Sequence, residues 1–142
     1  MKMHRENYSE QSAVVGFGAE ALAADNTPAA IDLQGYDTAL ILLEVGVGGI
    51  TFSGTNKVEF VVTHSDDDST YTNVTDDDVI GVTGVTSGIV HSLTAAHAAA
   101  TVTAIGYRGG KRYLKILADF SGTHGTATPM AATVVKSGAH FA

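Results

Sequence analysis

The sequence predicts an all-β fold, an antiparallel β-sandwich of jelly-roll type with little helix. Thr, Val and Gly recur along the whole chain, while Glu, Lys, Gln and Leu, the residues that fill helix surfaces, are few. Apolar residues come in short runs broken by Gly, Asp, Asn and Thr, at the spacing of antiparallel strands. Runs of this number and length fit two packed sheets better than a parallel sheet with crossover helices.

The elements follow in chain order. Residues 1–12 interleave both charge signs and show neither a strand nor a helix period, which predicts a polar N-terminal arm. Residues 13–142 are predicted as a single β-sandwich domain. Strands are expected over 13–17, 29–33, 38–45, 57–64, 70–74, 79–82, 88–93, 101–107, 112–120 and 130–136. The run "TALILLEV" at 38–45 is apolar on both faces and predicts a deep central strand covered on each side. In "KVEFVVTH" the inward set is Val58, Phe60 and Val62. In "RYLKILADF" Leu114, Ile116, Ala118 and Phe120 share one face, and Tyr113, Lys115, Leu117 and Asp119 the other. The stretch "TAAHAAA" at 94–100 holds good helix formers but spans only about two turns, so it predicts a loop with one helical turn at most. The expected core is Leu40, Leu42, Phe60, Val62, Leu114, Ile116 and Phe120.

A chain of 142 residues with 44% hydrophobic and 16% charged residues has enough apolar surface to fold as one domain. The net charge of −7 argues against nucleic acid as a partner, because neutralising phosphates needs a surplus of Lys and Arg. The absence of cysteine removes disulfides, thiolate zinc sites and cysteine nucleophiles together. No apolar run suits a signal peptide or approaches the roughly 20 residues of a spanning helix, so a soluble product made in the cytoplasm, without a membrane partner, is expected.

The stretch "HSDDDSTYTNVTDDD" (64–78) carries six of the ten aspartates. A calcium loop of EF-hand type needs alternating ligands, a Gly at the sharp turn and a terminal Glu, and neither triplet supplies them. Asp66, Asp68, Asp76 and Asp78 remain weak candidates for a looser oxygen-ligated cation site. The favoured reading is a solvated turn between strands, since Ser and Asp are good turn residues. Gly16, Gly18 and Ala21 in "VVGFGAEALA" match the spacing of a dinucleotide-binding loop, but Asp25, Asn26 and Pro28 interrupt the crossover helix that such a loop needs. Six histidines show no metal-ligand spacing. His64, Ser65 and Asp66 have the residue types of a triad, yet neighbours on a strand point in opposite directions. No catalytic residue and no cofactor are therefore expected, and the chain is read as a non-enzyme. The segment "GYRGGKRYLK" gathers Arg108, Lys111, Arg112 and Lys115, four of the eight basic residues, beside a turn at Gly109 and Gly110. These four are interface candidates, for an acidic partner or the Asp triplets of a neighbouring subunit, or else charges that protect a strand edge.

"KVEFVVTHSDDDSTYTNV" followed by "GYRGGKRYLKILADFSGTHGTATP" resembles small structural proteins encoded near the major capsid gene of tailed phages, over residues 33–135. The same pieces resemble discoidin-like jelly rolls, although Asp68 and Tyr71 stand where that pattern has Gly and Trp. The first resemblance implies a decoration or cement protein on the outer capsid surface of a virion, with the major capsid protein as partner and a homo-oligomer, a trimer by analogy, as its state. A carbohydrate-binding or other receptor-binding sandwich, or a tail-associated structural protein, is the alternative.

Overall fold

A computed structural model describes residues 8–139. Among these described residues ten strands form: β1 (Ser12–Leu22), β2 (Ile31–Asp32), β3 (Tyr36–Val45), β4 (Lys57–Ser65), β5 (Thr72–Asn73), β6 (Val79–Ile80), β7 (Ile89–Leu93), β8 (Thr101–Tyr107), β9 (Tyr113–Ser121) and β10 (Thr128–Ala139). They build two antiparallel sheets packed face to face. Sheet A has the order β1-β10-β3-β8-β6; sheet B has β2-β9-β4-β5, with β7 also pairing β4. The pairs β1/β10, β2/β9, β3/β8 and β4/β7 are nested and alternate between the sheets, so the chain wraps the core as a folded-over hairpin.

Each predicted strand is present, β8 with the predicted ends and the others with one or both ends shifted. β1 runs on to Leu22 through register shifts between Val15 and Phe17 and between Phe17 and Glu20, so "GFGAEAL" is an edge strand and not a phosphate loop. Among the described residues the one helical element is a 3-10 turn at Asp76–Asp78. The segment 94–100 has no helical turn; His97 is held instead by a bond between Nε2 and the Gly46 carbonyl, 2.9 Å. Of the predicted arm, residues 8–11 close a turn through Gln11 N–H to the Tyr8 carbonyl, and Ser12 already belongs to β1. Residues 1–7, with His4, and residues 140–142, with His140, lie outside the described residues.

The core contains Phe60, Val62, Leu114, Ile116 and Ala118, as the alternation predicts, with Phe120 packed at its margin. Leu40 and Leu42 require correction. In β3 the inward set is Ala39, Ile41, Leu43 and Val45, whereas Leu40 is 38% exposed and Leu42 half-buried. A strand apolar on both faces carries no parity signal, and the second sheet covers one face only. The expectation that β3 is covered on each side is therefore also overturned within the described chain.

Two side chains blunt the edge of sheet B. Beyond the short β2, Asn26 continues the ladder on β9: its Nδ2 donates to the Ile116 carbonyl (3.2 Å) and its Oδ1 accepts from Ala118 N–H (2.7 Å). Asp25 Oδ1 accepts from Phe120 N–H at 2.7 Å. Open backbone donors on a strand edge invite pairing with other chains. Asn26→Ala is expected to cost about 1–3 kcal/mol by leaving these groups unpaired. Urea unfolding would measure that cost, and light scattering on warming should show earlier aggregation.

Candidate functional site

The acidic stretch folds into two local turns. Asp67 is the organiser of the first: its Oδ1 accepts from the Ser65 hydroxyl (2.8 Å), Ser69 N–H (2.9 Å) and Thr70 N–H (3.0 Å). The Thr70 and Ser69 amides, followed by the Ser65 hydroxyl, hold the Asp67 carboxyl below its ordinary value. Asp68 takes a positive φ of 57° and accepts from the Tyr71 hydroxyl. In the second turn Asp78 Oδ2 accepts from Thr75 N–H at 2.9 Å, and Asp76 Oδ1 from Val85 N–H at 2.7 Å. Asp66 pairs with Lys111 at 3.2 Å. The cation candidates Asp66, Asp68, Asp76 and Asp78 thus each have a separate protein partner, and no group of three or more metal-ligating side chains is found among the described residues. Chelation by EDTA is expected to leave the melting temperature unchanged; a drop of many degrees would show that a cation draws the triplets together.

All four basic candidates are tied to this chain. Arg108 donates from its backbone N–H to the Asp78 carbonyl (2.8 Å) and from Nε to the Asp77 carbonyl (3.2 Å). Lys111 pairs with Asp66. Arg112 makes a bidentate pair with Asp32, both bonds 2.9 Å, and its guanidinium lies 4.9 Å from the Tyr113 ring centre. The bonds from Arg112 bring the Asp32 carboxyl down to about 2 against the opposing effect of desolvation. Lys115 Nζ sits 4.3 Å over the Tyr71 ring. An open cleft separates the two ion pairs, lined by Gln34, Tyr36, Asp66, Lys111 and Arg112.

At the same end, a polar node joins the sheets inside the core. His64 of β4 and Tyr107 of β8 face each other with Nδ1 and the phenol oxygen 2.8 Å apart. The Tyr107 oxygen also accepts from Lys111 N–H at 3.1 Å, and in the tautomer that keeps the imidazole proton on the side of Asp78 its own proton goes to His64 Nδ1. His64 then carries its proton on Nε2, which lies 3.8 Å from Asp78 Oδ2. Gly109 makes this fit possible: a Cβ there would come within 2.7 Å of the Tyr107 hydroxyl. Burial pushes the Tyr107 phenol up to about 12 and lowers the His64 pKa. His64 is 4% exposed and Tyr107 1%, so the node faces no solvent from which a substrate could arrive. Sequence reasoning missed it, because the partners of His64 are Tyr107 and Asp78 rather than its neighbours Ser65 and Asp66; Ser65 bonds Asp67.

The outer face of sheet A is the most distinctive surface. One row across the strands reads Ala13, Val135, Leu40, Gly106 and Ile80; the next reads Val15, Thr133, Leu42 and Ala104; the third, Ala131, Glu44 and Val102. Val15 is 68%, Val102 64% and Ile80 55% exposed. Glu44 is the one charged residue in these rows. Sequence reasoning read the β3 leucines as core, and that error hid the face. The signal was present in "TALILLEV", whose two apolar faces cannot both meet one core.

No family model, curated protein or solved structure matches this chain.

Proposed function

We propose that this chain is a non-enzymatic structural protein that decorates or cements the outer surface of a tailed-phage capsid, with the major capsid protein as partner and self-association as part of its role. The observation that carries this reading is the open apolar face of sheet A. A contiguous apolar patch rimmed by polar residues marks an interaction surface, and this one lies on a rigid strand framework rather than on loops. The nested strand pairing supports the jelly-roll reading of the sandwich, an architecture used in capsid domains. Many copies on a symmetric shell turn weak individual contacts into firm attachment.

The basic residues take a secondary place, because Lys111 and Arg112 would exchange Asp66 and Asp32 for any capsid partner. A jelly roll also serves in lectins, but here Tyr36, Tyr71 and Tyr113 each have a cation over the ring, which leaves those faces covered.

Electron cryomicroscopy of intact particles tests the proposal. Density for the sandwich is expected on the outside of the head, with sheet A buried. Density in the tail, or absence of the chain from purified virions, would overturn it.

A further inference from the structure

We infer that the outer face of sheet A pairs with the same face of a second copy of this chain, about a two-fold axis running along the strands between β3 and β8. The inference rests on reading that face as a docking surface, and it names the occupant.

The register carries the argument. β3 presents a ridge, Leu40 and Leu42, and β8 beside it presents Ala104 opposite Leu42 and Gly106 opposite Leu40. Ile80 leans over Gly106, where an added Cβ would meet it at 3.2 Å, and the small, exposed Ala104 has larger residues beside it on the same face, Leu42 opposite and Val102 two positions along the strand. A two-fold axis between the two strands lays each leucine ridge on the partner's small residues: Leu40 meets the partner's Gly106 and Leu42 the partner's Ala104, while Ile80 meets the partner's Val135. The contact is isologous, each residue pair occurring twice, which is how a closed dimer forms. It also keeps the strands of the two copies aligned, one of the stable ways for sheets to stack.

Charge permits this occupant, and the area sets how weakly it binds. The chain carries a net charge of −7, yet these rows hold only Glu44, at one end. Pairing therefore needs no cationic partner, and the two Glu44 side chains fall together at the solvated rim. Four strands about 4.8 Å apart and six residues at about 3.4 Å cover roughly 400 Å2 on each copy. The total of roughly 800 Å2 is short of the 1,200 Å2 at which standard interfaces begin. The dimer is thus reversible at ordinary concentration and strengthened where copies are arrayed on a particle.

Cross-linking of the cysteine-free chain reads the geometry. Ile80→Cys and Val135→Cys proteins are mixed with a bis-maleimide spanning about 10 Å, the separation of stacked sheets. The mixture is expected to give dimer at several times the yield of either protein alone, because like positions lie farther apart than unlike ones. Sedimentation over a wide concentration range should show a monomer–dimer equilibrium that Leu42→Lys weakens at least tenfold. Glu44→Gln should strengthen it several-fold, a gain that damaged folding cannot produce. Equal cross-linking in all three samples, or a monomer throughout with no response to either substitution, would overturn the inference. If the chain still coats particles with sheet A against the capsid, the pairing fails while the proposed function stands.

Discussion

Replacing Phe60 by alanine is expected to lower the unfolding free energy by about 3–5 kcal/mol. Phe60 is fully buried in β4, the strand of sheet B that pairs with β5, β7 and β9. Its ring stacks on Phe17 of the opposite sheet, with centroids 6.4 Å apart and planes at 4°, and on His91 at 5.9 Å. Truncation removes the transfer free energy of the ring and leaves a cavity between two hydrogen-bonded sheets, whose backbones cannot close over it freely. Domains of this size have about 5–15 kcal/mol in total, so the variant should be marginal at physiological temperature. Urea midpoints with an unchanged slope would measure the loss. Leu40→Ala, on the outer face, should cost under about 1 kcal/mol in the monomer. Equal costs at the two positions would contradict the inward parity of β3 and β4 described above.

The second large effect comes from the node between the sheets. Tyr107→Phe keeps the ring and deletes the hydroxyl, which leaves His64 Nδ1 and the Lys111 N–H without their partner in or near the core. The expected cost is about 1–3 kcal/mol. The same node makes stability depend on pH. Burial lowers the pKa of both His64 and His91, and for His64 the attraction of Asp78 offsets only part of that. The unfolded chain takes up protons near the ordinary value of about 6.5, while the folded chain resists until lower pH. The contribution of each ring is complete above about 6.5 and is lost as pH falls toward its folded pKa, at up to about 1.4 kcal/mol per pH unit per ring. Melting temperatures should decline from pH 7 to pH 5. His91→Phe, which retains a ring against Phe60, should flatten part of that decline; an unchanged profile would remove His91 from this account.

How far the sequence could be read varies along the chain for physical reasons. Asp67 was within reach, because an Asx turn uses amides two and three residues away and needs no tertiary structure. The Asp32–Arg112 pair spans 80 residues and the Asn26 bonds to β9 span 90 and 92, so no local pattern announces them. His64 looked like part of an improbable triad only because its true partner, Tyr107, lies 43 residues away on the other sheet.

By itself, the sequence determines that the chain is β-rich, which segments hold the ten described strands though not their ends, and which face of β4 and β9 turns inward. Alternation suffices for this when only one face of a strand is apolar, as with Val58, Phe60 and Val62 or Leu114, Ile116 and Ala118. The tertiary structure alone decided the parity of β3, the nested order of the strands and the partners of the four basic residues. The reason is common to all three. Burial of a strand apolar on both faces, like the closure of ion pairs 45 and 80 residues apart, depends on where the other sheet and the distant strands arrive. A two-layer sandwich has only one interior, and in placing Ile41 and Leu43 there the fold left Leu40 and Leu42 on its surface.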